Sequence, residues 1–288
     1  MSATLGIRRT LTRFAIALVT SSWNAAADPA KLAQGGTLVF ALYKDFAPFS
    51  EIDRGQLRGV DVAVAQALAG ELGLAPAFLP FDAGENMNDD LRNMVWRGTV
   101  LGYGPADVML HVPVDRRFMQ ANDRALIVAP YYREDYVLVF DRRRLGDVHT
   151  VDDLAGHVIA AEQGTGAAAA LFVARDGTLR ENVRLLQSGR QAMESVLSGD
   201  TAAALITRAQ AEAAFAVARR SRDGLHDALA FQPWTFGALS QSAWPIGMAV
   251  KADNRSLAQA LEHALQSLIS SGRLQAIFAQ HGVTWTTP

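Results

Sequence analysis

The 288-residue chain contains no cysteine. That excludes disulfides, thiolate metal sites, a cysteine nucleophile and lipid attachment through an N-terminal cysteine. Histidine is scarce too. Its six copies are scattered without metal-ligand spacing, so neither a metal nor any other cofactor is expected. No sign of charge dominates: 27 basic and 29 acidic residues give a formal net charge of −2, which supports no nucleic-acid surface and no acidic tail. Long apolar runs are missing as well. No segment approaches the ~20 apolar residues that span a bilayer.

The N-terminus does carry an export signature. Arg8, Arg9 and Arg13 precede the short apolar run Phe14-Ala15-Ile16-Ala17-Leu18-Val19, and Ala25-Ala26-Ala27 supplies small residues at a cleavage site. Residues 1–27 are therefore expected to be a cleaved signal peptide, with the paired arginines leaving the Sec and Tat routes open. Removing them takes three arginines and no acids, leaving 24 bases against 29 acids. A free periplasmic location and a monomer are expected.

The rest of the chain, 50% hydrophobic overall, alternates short strands with helices. Strands are predicted at 37–42, 77–81 and 107–110, with helices at 60–72 and 89–96 between them. After a strand at 136–140 the alternation restarts, with strands at 158–161, 183–186 and 203–206 and helices at 167–174 and 190–197. A strand at 246–250 and helices at 256–270 and 273–281 close the chain. Such alternation predicts α/β architecture, each sheet mostly parallel with helices on both faces. Sites in such folds lie beyond the carboxyl ends of the strands.

Several residues fall at those ends. Tyr43 and Phe46, in the loop Tyr43–Phe49, are placed to sandwich an apolar or planar part of a ligand. His111 ends the third strand and is a candidate ligand contact. Gly164-Thr165-Gly166 precedes an alanine-rich helix, where Gly164 and Thr165 can offer N–H groups and a hydroxyl to an anion. No nucleophile–base pair is visible, so no catalytic residue is assigned and the chain is read as a binding protein.

Five stretches together resemble the extracellular solute-binding proteins of family 3, the periplasmic components of ABC importers. They are Tyr43–Phe49, Gly59-Val60-Asp61-Val62-Ala63, Ala129-Pro130-Tyr131-Tyr132, Gln163-Gly164-Thr165-Gly166, and Ser271-Gly272-Arg273-Leu274 with His281-Gly282-Val283. The resemblance implies a two-lobed periplasmic-binding-protein-like fold with two hinge crossings, near 133–140 and 244–250. Lobe one is then 36–133 plus 246–288 and lobe two 140–244. It also implies an arginine for a ligand carboxylate after the third strand, here Arg116 or Arg117. The family's aspartate for an α-ammonium would stand where this chain has Thr207-Arg208, so those two residues are the candidates there and the amino-acid clamp lacks its acid.

The leading expectation is capture of a small polar or anionic solute by hinge closure, followed by delivery to an ABC importer. A narrower resemblance, over Asp90–Gly98, Asp107–Pro113 and Pro130–Arg133, is to solute-binding-like proteins associated with quinoprotein (PQQ) alcohol dehydrogenases. It implies an accessory role with such a dehydrogenase as partner. A third reading is a cyclohexadienyl dehydratase-like enzyme, for which Asp45, Asp115 and Glu162 are the available acids.

Overall fold

The structure, a computed structural model, describes residues 36–221, 228–236 and 243–288. The expected export signal lies outside the described residues. The first lobe opens with β1 (Thr37–Tyr43), the small meander β2 (Asp45–Phe46), β3 (Ser50–Asp53) and β4 (Gln56–Arg58), then α1 (Val60–Glu71) and β5 (Ala75–Phe81). Next come α2 (Met87–Leu91), which runs into a π turn at Arg92–Trp96, then β6 (Val108–Pro113) and α3 (Arg116–Ala121). The 17-residue strand β7 (Ala125–Asp141) leads through α4 (Arg142–Leu145) to β8 (Ile159–Glu162), α5 (Gly166–Val173), β9 (Val183–Leu186), α6 (Gly189–Ser198), β10 (Ala203–Thr207) and α7 (Arg208–Ser221). The remaining elements are β11 (Leu229–Pro233), β12 (Ala243–Lys251), α8 (Arg255–Ser270) and α9 (Arg273–Gln280).

Both lobes use one sheet plan. In the first the order is β5-β1-β6-β12-β7, with the first three strands parallel and β12 antiparallel to both neighbours. In the second it is β9-β8-β10-β7-β11, again three parallel strands followed by antiparallel ones. β7 belongs to both. Ala125–Asp135 pairs with β12, and from Tyr136 onward the strand pairs with β10 and then β11.

Helices cover both faces of each sheet, as the alternation predicts. One face of the first sheet packs on α1, α8 and α9 through Phe40, Leu68, Leu261, Leu265 and Phe278. Its other face packs Met109 and Val112 against Leu91, Met94 and Val95. In the second lobe Phe140, Leu171 and Leu205 fill one side, and Val139, Met193, Val196 and Ile206 the other. The leucines of α8 at 257, 261, 265 and 268 are all buried, the expected stripe of a core helix.

Sequence patterning assigns no element to 208–221, yet α7 is 14 residues long. Its apolar surface is divided: Ala209 joins the first lobe's core and Ala211 the second lobe's. Small side chains are required there, because a Cβ on Gly282 would lie 2.7 Å from Ala216 Cβ. The strand predicted at 136–140 is likewise only the end of β7. Pro130, Arg133, Glu134 and Asp135 interrupt its apolar pattern where the strand exchanges partners.

Candidate functional site

The aromatic loop is built onto the start of α1. Val60 N–H donates to Pro48 O at 3.0 Å and Asp61 N–H to Phe49 O at 2.8 Å. Gly59 permits this approach: at φ 132° its Cβ position is 2.2 Å from Phe49 O, space that only glycine leaves open. Phe49 is buried, and half-buried Phe46 stacks on it with ring centroids 5.5 Å apart. The His111 imidazole meets Phe46 edge-on at 4.7 Å and Phe49 at 4.2 Å. Phe46 and His111, predicted separately, therefore come together.

Beneath them lies a buried polar chain. His111 Nδ1 is 3.1 Å from Asp61 Oδ2, and the Tyr131 hydroxyl donates to Asp61 Oδ1 at 2.6 Å. Burial, followed by the Asp61 charge, pushes the Tyr131 phenol well above its ordinary value. Strand irregularities aim these side chains. On β6, Leu110 and His111 face Met248 alone; on β7, Ala129, Pro130 and Tyr131 face Gly247. Both bulges carry a non-glycine residue in left-handed conformation, His111 at φ 61° and Ala129 at φ 50°. Bulges re-aim side chains, and such strain costs roughly 1–3 kcal/mol per residue. His111 Nε2 has no partner among the described residues, nor is it among the sealed, unpaired atoms Ser50 Oγ, Glu134 Oε2 and Trp234 Nε1. One ring nitrogen is fixed and the other is open.

Tyr43 is placed differently. Its hydroxyl donates to buried Asp90 at 2.8 Å, and the ring packs 4.5 Å from Phe81, inside the first lobe's core. Burial, then the charge of Asp90, raises its pKa. Arg116 and Arg117 are exposed in the first turn of α3, without an ion pair among the described residues. Asp115 caps that helix through Phe118 N–H, and Asp45 is exposed on β2.

On the second lobe, the Thr165 hydroxyl donates to Glu162 O at 2.7 Å and accepts from Ala168 N–H at 3.3 Å. Its proton is thus spent on Glu162 O and a lone pair on capping α5, and the N–H groups of Gly166 and Ala167 lie near the Tyr136 hydroxyl. Gly164, at φ 76°, forms the turn before them. Thr207 donates its hydroxyl to Gln210 Oε1 at 3.1 Å, while Gln210 Nε2 donates to Glu162 Oε2 at 2.9 Å. Arg208 is held apart from these groups. It pairs with Asp135 at 2.6 Å, donates to Thr286 Oγ1 at 3.0 Å and to Thr284 O at 3.2 Å, and so ties α7 to β7 and the C-terminal segment.

A cavity of about 600 Å³ opens between the lobes, within the size range of small-molecule sites. Its first-lobe wall includes Pro48, Glu51 and Arg58; Arg190, Glu194 and Gln210 stand opposite. None of the nine predicted residues lines it, although Gln210 joins it to Thr207 and Pro48 to Phe46. Glu51 spans the gap, accepting from Arg58 at 3.0 Å and from Arg190 at 3.1 Å. Half-buried His281 also lines the cavity; burial lowers its pKa, opposed by the charge of Asp61.

Asp61, Tyr131, Glu134, Glu162 and Gln210 were not among the predicted site residues. Asp61 had a visible signal, a lone acid in the apolar first turn of a predicted helix. The others depend on pairings between strands and helices distant in sequence. Among the described residues no cluster of metal-ligating side chains occurs, and no helix is long and apolar enough to cross a membrane.

The chain matches no family model and no curated protein. Its backbone is similar to solved binding proteins. An ancestral cationic amino acid solute binding protein superposes with TM-score 0.64 at 18% identity, over 88% of this chain and 98% of that one. A polar amino acid ABC uptake transporter substrate binding protein from Streptococcus thermophilus gives 0.63 at 18%, over 90% of each chain. An amino acid ABC transporter substrate-binding protein from Streptococcus pneumoniae, bound to L-arginine, gives 0.60 at 18%, over 89% and 98%. At these identities the shared property is the fold: a mixed α/β, two-lobed, periplasmic-binding-protein-like architecture with mostly parallel sheets.

Proposed function

We propose that this chain is a periplasmic solute-binding protein that captures a small polar solute between its lobes and delivers it to an ABC-type importer. The carrying observation is the ~600 Å³ inter-lobe cavity in a fold shared with solved amino-acid-binding proteins. The lobes are 36–133 plus 246–288 and 140–244, and they rotate about crossings near 133–140 and 244–250. The partner switch of β7 at Asp135–Tyr136 supports the first crossing. Phe46 and His111 stand outside the cavity lining, behind Ala47 and Pro48, and offer an apolar ring and an open ring nitrogen to a solute that reaches past that wall. Arg116 and Arg117 serve a carboxylate where the solute has one, since they are exposed and spend no charge on a protein acid. The opposite wall is Arg190, Glu194 and Gln210; Thr207 is joined to it through Gln210, and Gly164 and Thr165 stand behind that lining. Ligand favouring the closed arrangement shifts the population toward it.

The test is a thermal-shift screen of the purified protein, denatured and refolded to strip carried ligand, against amino acids, amines, carboxylates and sugars. A true ligand at ~100 times its Kd adds about 2.7 kcal/mol and raises Tm. A saturable hit accompanied by a fall in radius of gyration supports capture by closure; silence across the library refutes it.

One feature favours a second reading, a protein-docking role as accessory to a periplasmic quinoprotein alcohol dehydrogenase. Val100 and Leu101 are 97% and 91% exposed at the tip of a turn. The turn is held by Thr99 N–H to Tyr103 O at 2.8 Å and by the Tyr103 hydroxyl on Pro80 O. An ordered turn that presents two apolar side chains suits a protein contact. Co-purification with such a dehydrogenase, lost in a Val100→Ser/Leu101→Ser variant, distinguishes this reading from solute capture.

A further inference from the structure

Resting on the solute-capture reading, we infer that the solute is an organic acid, and that its carboxylate is seated between Arg58 and Arg190, where the chain's own Glu51 now stands in for it. Glu51 and Arg58 face each other across the β3–β4 pair. Arg58 Nη2 donates to Glu51 Oε1 at 3.0 Å, and from the other lobe Arg190 Nη1 donates to Glu51 Oε2 at 3.1 Å. One carboxylate thus gives one oxygen to each lobe, the contact that a solute trapped by closure makes. Arg58 does not depend on Glu51 for its direction. Its Nη1 pairs at 3.0 Å with Asp53, two residues along β3 and so on the same face. Arg190 has an acid on its own helix face, Glu194 four residues on, yet its guanidinium reaches across the gap to Glu51 instead. Both guanidinium groups are about half exposed, and pairs of that kind are weak, so an incoming carboxylate displaces Glu51 at small cost.

The rest of the lining suits an acid with a carbon skeleton. Its charged side chains are the arginines at 58, 190 and 220 against Glu51 and Glu194. With Glu51 counted as the occupant, three positive groups face one negative group. Arg220 forms no ion pair among the described residues, so a second anionic group on the solute finds a partner as well. His281 adds no charge at neutral pH, because burial lowers its pKa from 6.5; the Asp61 charge opposes that fall and the Arg58 charge adds to it. Between these groups α7 presents Ala213, Ala214 and Val217, an apolar surface on which a hydrocarbon part can lie and an inorganic anion places nothing. Arg116 and Arg117 are not part of this lining, so within the cavity a carboxylate is met by Arg58 and Arg190.

The experiment is calorimetric titration of the full chain at low ionic strength with hexanoate, phenylacetate and glutarate. The neutral amide of each, the amine of each skeleton and inorganic phosphate are titrated beside them. The acids should bind, the amides and amines should not, and phosphate should bind more weakly than the acids. Glu51→Gln removes the charge of the stand-in and should tighten acid binding roughly 2- to 5-fold. Arg190→Gln should weaken it roughly 10-fold, with Arg190→Lys, which keeps the charge and loses the fork, in between. Circular dichroism checks that each variant folds. Scattering gives a readout independent of affinity: saturating acid should return the enlarged radius of gyration of Glu51→Gln to the wild-type value, because the solute restores the bridge. Acid affinity unchanged in Arg190→Gln, or falling in Glu51→Gln, overturns the inference while leaving solute capture standing. So does binding of amines or amides without the acids, tighter binding of phosphate, or a radius that acid does not restore. Silence of all the acids overturns acid recognition. If the broad thermal-shift library is silent too, solute capture falls with it.

Discussion

Titrating Glu134 is the sharpest physical probe of the β7 crossing. This carboxyl is 2% exposed and sits on the strand shared by both lobes, opposite Trp244. Oε1 accepts from Asp135 N–H at 3.0 Å and from the Tyr132 hydroxyl at 3.4 Å, while Oε2 is buried without a partner among the described residues. Burial pushes its pKa from 4.5 to about 8; the Asp135 charge adds to the rise, and the Asp135 N–H and Arg208 oppose it. The sign follows from proton counting. Between those values the folded chain holds a proton that the unfolded chain has released, so stability falls as pH rises and the full penalty is present above about 8. The interval is worth on the order of 5 kcal/mol if the folded state cannot relax, and less where it does. Glu134→Gln removes the titration. Urea unfolding followed by tryptophan fluorescence between pH ~5 and ~9 should show the variant more stable by about 2–4 kcal/mol at the alkaline end, with the advantage vanishing toward pH ~5. Parallel pH profiles for the two proteins would refute a buried, protonated Glu134.

Three other perturbations follow from single contacts. Asp61→Asn leaves the Tyr131 hydroxyl and His111 Nδ1 with a poorer buried partner, and should destabilise by about 2–4 kcal/mol in denaturant unfolding. Gly59→Ala forces a Cβ toward Phe49 O, so the aromatic loop must move; a Tm drop of several degrees and weakened solute affinity are expected together. Glu51→Gln unfastens Arg190 from the first lobe. Because the Arg190 side chain is half-exposed, the pair contributes at most ~1 kcal/mol, so scattering should reveal a modestly larger radius of gyration with nearly unchanged Tm.

The fold was legible because most of its elements obey local rules. Apolar runs of strand length alternate with amphipathic or glycine-stopped helices from 37 to 81 and again from 158 to 206, and the observed bounds differ from those readings by one or two residues. Failures cluster where one element serves two masters. β7 carries Arg133, Glu134 and Asp135 through its centre because its neighbours change there, so no period-two pattern survives. α7 is alanine-rich because two cores close on it, and a helix with no single apolar face gives no stripe to find. Its high helix propensity was the remaining signal.

The site divides along the same line. Phe46 and His111 sit in the loop and at the strand end that strand order alone places near a cleft, and they do meet. Residues judged by type alone fared differently. The proton of Thr165 is spent on Glu162 O, Tyr43 is tied to Asp90, and Arg208 braces α7 against Asp135 and the C-terminal segment. A polar group near a crossing is also the natural means of fastening that crossing. What separates the two uses is the count of partners already in place. His111 has one nitrogen fixed and one open, and Glu162 has one oxygen accepting two hydrogen bonds and one open; Arg208 reaches five partners and is spent. Buried and half-buried polar groups are satisfied as a rule, so the half-satisfied ones that remain accessible are the first positions to test for solute contact. That criterion needs distances between residues far apart in the chain, which is why Glu162 stood in the sequence only as one acid among several.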